Sequence, residues 1–350
     1  MSRTTDLVAS IVSALLVSST GWSQEMGSEY AKDYSLTDLG TVPGNPAPNG
    51  GLLIRANEPN LLYIGGSANN AAGTVRRVGL TRGIDGRIVG FGCAEAEIFA
   101  SAPYIDGGLI FGPGNVLIYT GYPINVIGQV PQGAVEPSRI IDLDALGIAS
   151  STGSLTIVPP GFPGAGRLKI LSYNASIWYD AAIVPDGSGT FDIVEVSEGI
   201  QISGRPEGVV YIPAGNPQFD EPGVLVAEYG AGRIGAYSID GNGDPIPSSR
   251  RDFVNGLSGA EGAAIDPVTG DFLFSTFGGG DRVIVVRGFT ISPTCVGDLD
   301  GNGSVDGGDL TILLSSWGEC GSCPADLDGN CMVNGTDVGV LLSAWGTCPD

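Results

Sequence analysis

The sequence predicts a mainly β protein, a β-propeller of five or six blades followed by a small α-helical module. Three observations carry that expectation. The 350 residues hold 57 Gly and 23 Pro with no collagen-like period, beside 42 % hydrophobic residues, the composition of short buried strands joined by tight turns. Five related segments recur between residues 35 and 289. The last 56 residues contain a unit duplicated at a constant offset of 28, identical at 15 of 26 positions between Cys295–Cys320 and Cys323–Cys348.

The first residues read as a leader. Arg3 gives a weak positive start, Leu7 to Val17 an apolar run of 11, and Gly21-Trp22-Ser23 a small-x-small cleavage site. These are the parts of a signal peptide over residues 1–23 with a mature start near Gln24. The run falls well short of the ~20 residues that span a bilayer, and no later segment is long and apolar enough to do so. Export to an extracellular, cell-surface or periplasmic location agrees with six cysteines, five of them between Cys295 and Cys348, because disulfides persist in oxidising compartments.

Residues 24–292 form the large domain. Each of the five segments enters through Gly or Glu-Gly, runs an apolar strand, turns, and runs another. They start at Gly51, Gly108, Gly153, Gly208 and Gly262, which is 57, 45, 55 and 54 residues apart. Repeats of about 40–50 residues with this internal order are the mark of four-stranded blades. A β-sandwich is the rival reading, and the recurrence favours the propeller. Residues 34–42 supply an outer strand that closes the last blade or belong to a sixth. The run Ala264-Ile-Asp-Pro-Val-Thr-Gly-Asp-Phe-Leu-Phe-Ser-Thr276 resembles blades of the NHL and YncE type.

Residues 293–350 form the duplicated module. Each copy opens with a twelve-residue acidic loop that places oxygen-bearing side chains at positions 1, 3, 5, 9 and 12. In the first loop these are Asp298, Asp300, Asn302, Asp306 and Asp309, with the Ser304 carbonyl at position 7. In the second they are Asp326, Asp328, Asn330, Asn334 and Asp337, with the Met332 carbonyl at position 7. Calcium takes six to eight oxygens, and alternate residues of a tightly turned loop of the EF-hand kind can converge on it. Val305 and Val333 at position 8 are expected to pair across the two loops. Leu310, Leu313, Leu314 and Trp317, and likewise Val338, Leu341, Leu342 and Trp345, follow helical spacing, so two short helices should pack through these faces.

The module resembles the type I dockerin family, two such loop–helix units related by a pseudo-twofold axis, whose final ligand is Asp as at Asp309 and Asp337. The resemblance implies a calcium-stabilised plug for a cohesin-type scaffold domain in assemblies that degrade polysaccharides. Cys331 departs from the pattern by replacing the glycine that position 6 favours for its positive φ, which weakens the second loop's hold on its metal. Gly307-Gly308 and Gly335-Thr336 stand where cohesin-binding members often carry Ser-Thr.

Disulfides are expected to staple so small a unit. If the helices lie antiparallel, Cys295 meets Cys348 and Cys320 meets Cys323, leaving Cys93 and Cys331 as buried free thiols or as a bridge between the domains. The free thiols are the favoured reading of the two.

Composition also excludes functions. With no histidine, His-based acid–base chemistry and His-ligated metals are absent. With 38 acidic against 16 basic residues and a charge of -22, nucleic acid and anionic lipid are repelled. Glu207 and Glu261, each in Glu-Gly before an inner strand, point toward one mouth of a propeller's channel. Either they hold a metal there, or they cap loops and pair with Arg205 and Arg233. No nucleophile pattern stands out. The expectation is therefore a propeller that binds a glycan or small molecule rather than an enzyme, the alternative being a metal-dependent hydrolase or lactonase acting on carbohydrate.

Overall fold

The computed structural model describes residues 24–83, 85–289, 297–300, 302–320 and 323–347. The expected leader at 1–23, and Cys295 with Cys348, lie outside the described residues.

Alternation of side chains along a strand sends neighbours to opposite faces, and here both faces of each strand pair are apolar. Leu171 packs with Trp178, Val209 and Val224, while its neighbour Ile170 packs with Ile118, Ile127 and Leu155. Phe272 and Phe274 face Leu225 and Phe253, whereas Leu273 between them faces Leu62 and Val78. Sheets that are apolar on both sides must be covered on both sides, and radial stacking of sheets achieves this.

The result is five antiparallel blades. Blade one comprises Leu52–Arg55, Glu58–Gly66, Thr74–Arg82 and Ile88–Phe91, with Glu97–Ser101 also pairing the third strand. Blade two comprises Ile105–Phe111, Leu117–Gly121, Val126–Val130 and Arg139–Asp142. Blade three comprises Thr152–Ile157, Leu168–Ser172, Ile177–Pro185 and Phe191–Val194, with Ile200–Gln201 added on its third strand. Blade four comprises Pro206–Ile212, Gly223–Glu228, Arg233–Ser238 and Arg251–Asn255, extended by the short strand Glu25–Met26. Blade five comprises Ala260–Ile265, Phe272–Thr276 and Arg282–Arg287, and its outer strand is the N-terminal Ser35–Thr41. Residues 34–42 therefore close the last blade and do not begin a sixth.

Five hydrophobic cores fill the five gaps between blades. The inner strands touch in ring order, and that of blade five lies against that of blade one. Hydroxyls stitch neighbouring inner strands together. Thr120 accepts from Gly108 N and donates to the Gly153 carbonyl at 3.0 Å, and Ser275 accepts from Gly262 N and donates to the Gly50 carbonyl at 2.8 Å.

The C-terminal module contains helices α1 (Gly307–Ser315) and α2 (Gly335–Ser343) around a core of Val305, Leu313, Ala325, Leu327, Val333 and Leu341. Two expectations are corrected here. Val305 and Val333 do not pair with each other: Ser304–Val305 pairs with Gly346–Thr347, and Met332–Val333 with Gly318–Glu319. The chain leaving each helix crosses the opposite loop and takes up its ladder instead. The helical stripes are also only half used. Leu313 and Leu341 are buried, but Leu314, Trp317, Leu342 and Trp345 are each about half exposed (49–55 %): the two leucines lie on the outer edge of the stripe, and both helices end before the tryptophans.

The module sits on blade one. Cys331 is joined to Cys93 and Cys320 to Cys323, so the favoured reading of Cys93 and Cys331 as free thiols is corrected. The reason is geometric: Asn60 Nδ2 donates to the Asp326 carbonyl, Thr81 Oγ1 to the Gly329 carbonyl and Arg82 N to the Asp328 carbonyl, which brings the second loop onto the second and third strands of the blade. Gly329 (φ +71°) fits there because a Cβ would stand 2.6 Å from the Leu80 carbonyl oxygen.

Candidate functional site

Four of the five inner strands begin with a β-bulge, in which one extra residue, or two in blade two, re-aims the side chain beside it. The register shifts lie at 105/109, 152/154, 206/209 and 260/263. Three of these bulges present an acid to the channel: Asp106 in blade two, Glu207 in blade four and Glu261 in blade five. Blade three offers Gly153 at the same place. Glycine is required, since a Cβ there would stand 2.2 Å from the Pro206 carbonyl and 2.8 Å from Glu207 Oε2, and one on Gly107 would stand 2.6 Å from that same Oε2.

Asp106, Glu207 and Glu261 are 2 %, 3 % and 1 % exposed, and one oxygen of each lies within 4.8 Å of the others. Asp106 Oδ2, Glu207 Oε2 and Glu261 Oε1 have no hydrogen-bond partner. Burial pushes the Asp106 carboxyl up to about 8 against hydrogen bonds from Glu261 and Asn69. Burial also drives Glu207 and Glu261 well above the carboxylate range, and the charge of Asp106 adds to both. The pairing once open to Glu207 and Glu261 is not made. Arg233 binds Glu228 and Asp252 instead, and Arg205 lies over the Tyr173 ring at 5.7 Å.

An arc of aromatic side chains runs across four of the blades. Tyr122, Tyr173, Tyr229 and Phe277 each follow directly on the second strand of blades two to five. Their centroids are spaced 5.8, 5.7 and 6.2 Å apart with edge-to-face tilts, and all four are partly exposed. Burial raises Tyr229, and the charges of Glu261, Glu207 and Asp106 all raise it further. The Gly-rich turns at 229–233 and 277–281 hold their own amides: Gly230 N donates to the Gly204 carbonyl, Gly232 N to that of Tyr229, and Gly278 N to Asp281 Oδ1.

Of this site, sequence reasoning found Glu207 and Glu261 and missed Asp106. The signal was present. Tyr104, Arg205 and Gly259 each stand two residues before the acid with left-handed φ of 63°, 57° and 66°, and each acid precedes a glycine. Blade two was entered at Gly108, one residue past the Asp-Gly pair, because Gly107-Gly108 doubles the marker.

In the C-terminal loops, positions 1, 3 and 12 converge. Oxygens of Asp298, Asp300 and Asp309 come within 4.8 Å of one another, as do those of Asp326, Asp328 and Asp337. Asp309 and Asp337 are fully buried and accept from the backbone N–H groups of Leu299 and Asp306, and of Leu327 and Asn334. Position 9 is used differently. Asp306 and Asn334 cap α1 and α2 by accepting from Gly308 N and Thr336 N. Asn302 and Asn330 lean onto Asp300 and Asp328, and the Met332 carbonyl accepts from Asn334 Nδ2. Ser304 N donates to Asn302. Cys331 takes the left-handed φ of 69° that its position demands.

No family model matches this chain, and no curated protein does. Solved structures are similar only distantly. A glutaminyl cyclase from Myxococcus xanthus is 14 % identical with a TM-score of 0.43, covering 73 % of this chain and 97 % of that one. A virginiamycin B lyase from Staphylococcus aureus is 12 % identical with a TM-score of 0.36, covering 74 % and 99 %. An auxiliary nutrient binding protein from Bacteroides ovatus is 12 % identical with a TM-score of 0.39, covering 73 % and 76 %. The five-bladed architecture rests on the sheets of this chain itself.

Proposed function

We propose that residues 293–350 are a calcium-ordered docking module for a cohesin-type receptor, and that the module tethers a ligand-binding propeller outside the cytoplasm. The observation that carries the reading is the convergence of three carboxylates in each copy of the duplicated loop. Like charges so close repel unless a cation joins them. The half-exposed pairs Leu314 with Trp317 and Leu342 with Trp345 support docking, since matched apolar patches on a small module suit a partner's surface. The disulfides at Cys93 and Cys320 support an oxidising location, and no helix of the described residues is long and apolar enough to cross a membrane. Calorimetry on the full chain tests it: Asp309→Ala and Asp337→Ala should each abolish one calcium site, and calcium uptake undiminished in the double variant refutes the assignment.

The second reading, a hydrolase or lactonase acting on carbohydrate, is favoured by the three acids gathered in the channel. A screen against lactones, glycosides and phosphoesters in the presence of calcium separates the two. Turnover that vanishes in Glu261→Gln would make the propeller an enzyme, and its absence across the screen leaves it a binding domain.

A further inference from the structure

The channel acids raise a question that the C-terminal module does not answer. Three carboxyl groups brought from three different blades are almost fully buried, and one oxygen of each is unpartnered. Among the described residues no arginine or lysine forms an ion pair with any of them, the nearest candidates being engaged elsewhere: Arg233 with Glu228 and Arg205 over Tyr173. Buried acids are ordinarily paired with a cationic side chain or fully hydrogen-bonded. The rest of this propeller obeys that rule: Lys169 sits between Asp180 and Asp244, Arg82 forks onto Asp266, and Arg233 and Arg250 neutralise Glu228. The channel is the exception.

We infer that Asp106, Glu207 and Glu261 form a divalent-cation site on the axis of the propeller, distinct from the two C-terminal loops. Spacing supports this. Oxygens around a cation at about 2.3–2.6 Å stand no farther apart than about 4.6–5.2 Å, and the three acids fall within 4.8 Å. Donor type selects the metal: carboxylate oxygens without sulfur or imidazole suit a hard ion of the calcium, magnesium or manganese class. Shape agrees, because Gly107 and Gly153 leave the space beside Glu207 Oε2 that a side chain would fill. Three ligands do not complete a shell of six to eight. The remaining positions are open to water or to oxygen donors of a ligand entering past Tyr173 and Tyr229, which stand within reach of the acids' charge.

Terbium, a luminescent stand-in for calcium excited through nearby tyrosines, tests the site in the full chain carrying Asp309→Ala and Asp337→Ala to empty the C-terminal loops. Saturable emission that calcium displaces is expected, with affinity weakened about tenfold or more by Glu207→Gln and intensity reduced by Tyr229→Leu at unchanged affinity. Asp106→Asn serves as a second variant should Glu207→Gln not fold, with the melting profile as control. No emission, or emission indifferent to both acid variants, overturns the inference. The loop assignment is judged separately, by the sites lost on going from wild type to the loop-emptied chain.

Discussion

Gly153 stands where neighbouring blades carry an acid, and its missing side chain decides what the channel can hold. A methyl group there would meet the Pro206 carbonyl and the Glu207 carboxylate. Gly153→Ala should cost about 1–3 kcal/mol through overpacking, whereas Gly90→Ala, whose Cβ meets nothing within 4 Å, should be near neutral; urea unfolding of the two variants checks the contrast. Glu228 illustrates the opposite treatment of a buried acid. Burial works against its charge, but hydrogen bonds from Arg250, Tyr237 and Arg233 hold its pKa below the usual 4.5. A depressed acid stabilises the fold above its unfolded pKa and loses that contribution as pH falls through the folded value. Stability should therefore fall below pH 4.5, and Glu228→Gln should flatten that acid limb while weakening the fold at neutral pH. At this scale Glu207 and Glu261 were legible because Glu-Gly twice precedes an apolar run. Asp106 was hidden by a doubled glycine, and the Arg205–Tyr173 contact by the lack of any local pattern linking residues from different blades.

At the scale of elements, the apolar runs that announced strands also encoded the closed ring, since each strand sends alternate residues to a different neighbouring blade. Blade number could not be read, because the strand closing blade five lies far along the chain from its partner, Ser35 pairing with Arg287. The helical stripes of the module misled in a specific way. Spacing alone assigned Leu313 and Leu314 the same face, yet a helix of nine residues buries only the inner edge of its stripe. Leu313→Ala should cost the module about 2–5 kcal/mol, and Trp317→Ser less than about 0.5 kcal/mol, as read by calcium-dependent melting. The Cys93–Cys331 bridge spans 238 residues, and pairing at that distance has no sequence signature. Its removal in Cys93→Ser should loosen the second loop from Thr81 and Arg82 and cost about 2–4 kcal/mol; hydrogen exchange at residues 326–331 would report it.

For the molecule as a whole, the acidic balance has a structural counterpart in three gatherings of carboxylates among the described residues, one joining three blades of the propeller and two in the C-terminal repeat. The second loop is fastened to blade one by a disulfide and three hydrogen bonds, and the exposed tryptophans lie in the segments that follow the helices. On the two proposals above, a cation in the propeller's channel and cations ordering the C-terminal module would make calcium the common requirement of both domains. Equilibrium dialysis that counts calcium per full-length chain tests this most directly. Three ions are predicted for the wild type and one for Asp309→Ala/Asp337→Ala, that last ion being held about tenfold or more weakly once Glu207→Gln is added; a wild-type chain that binds no calcium, or binding unmoved by these substitutions, would contradict it.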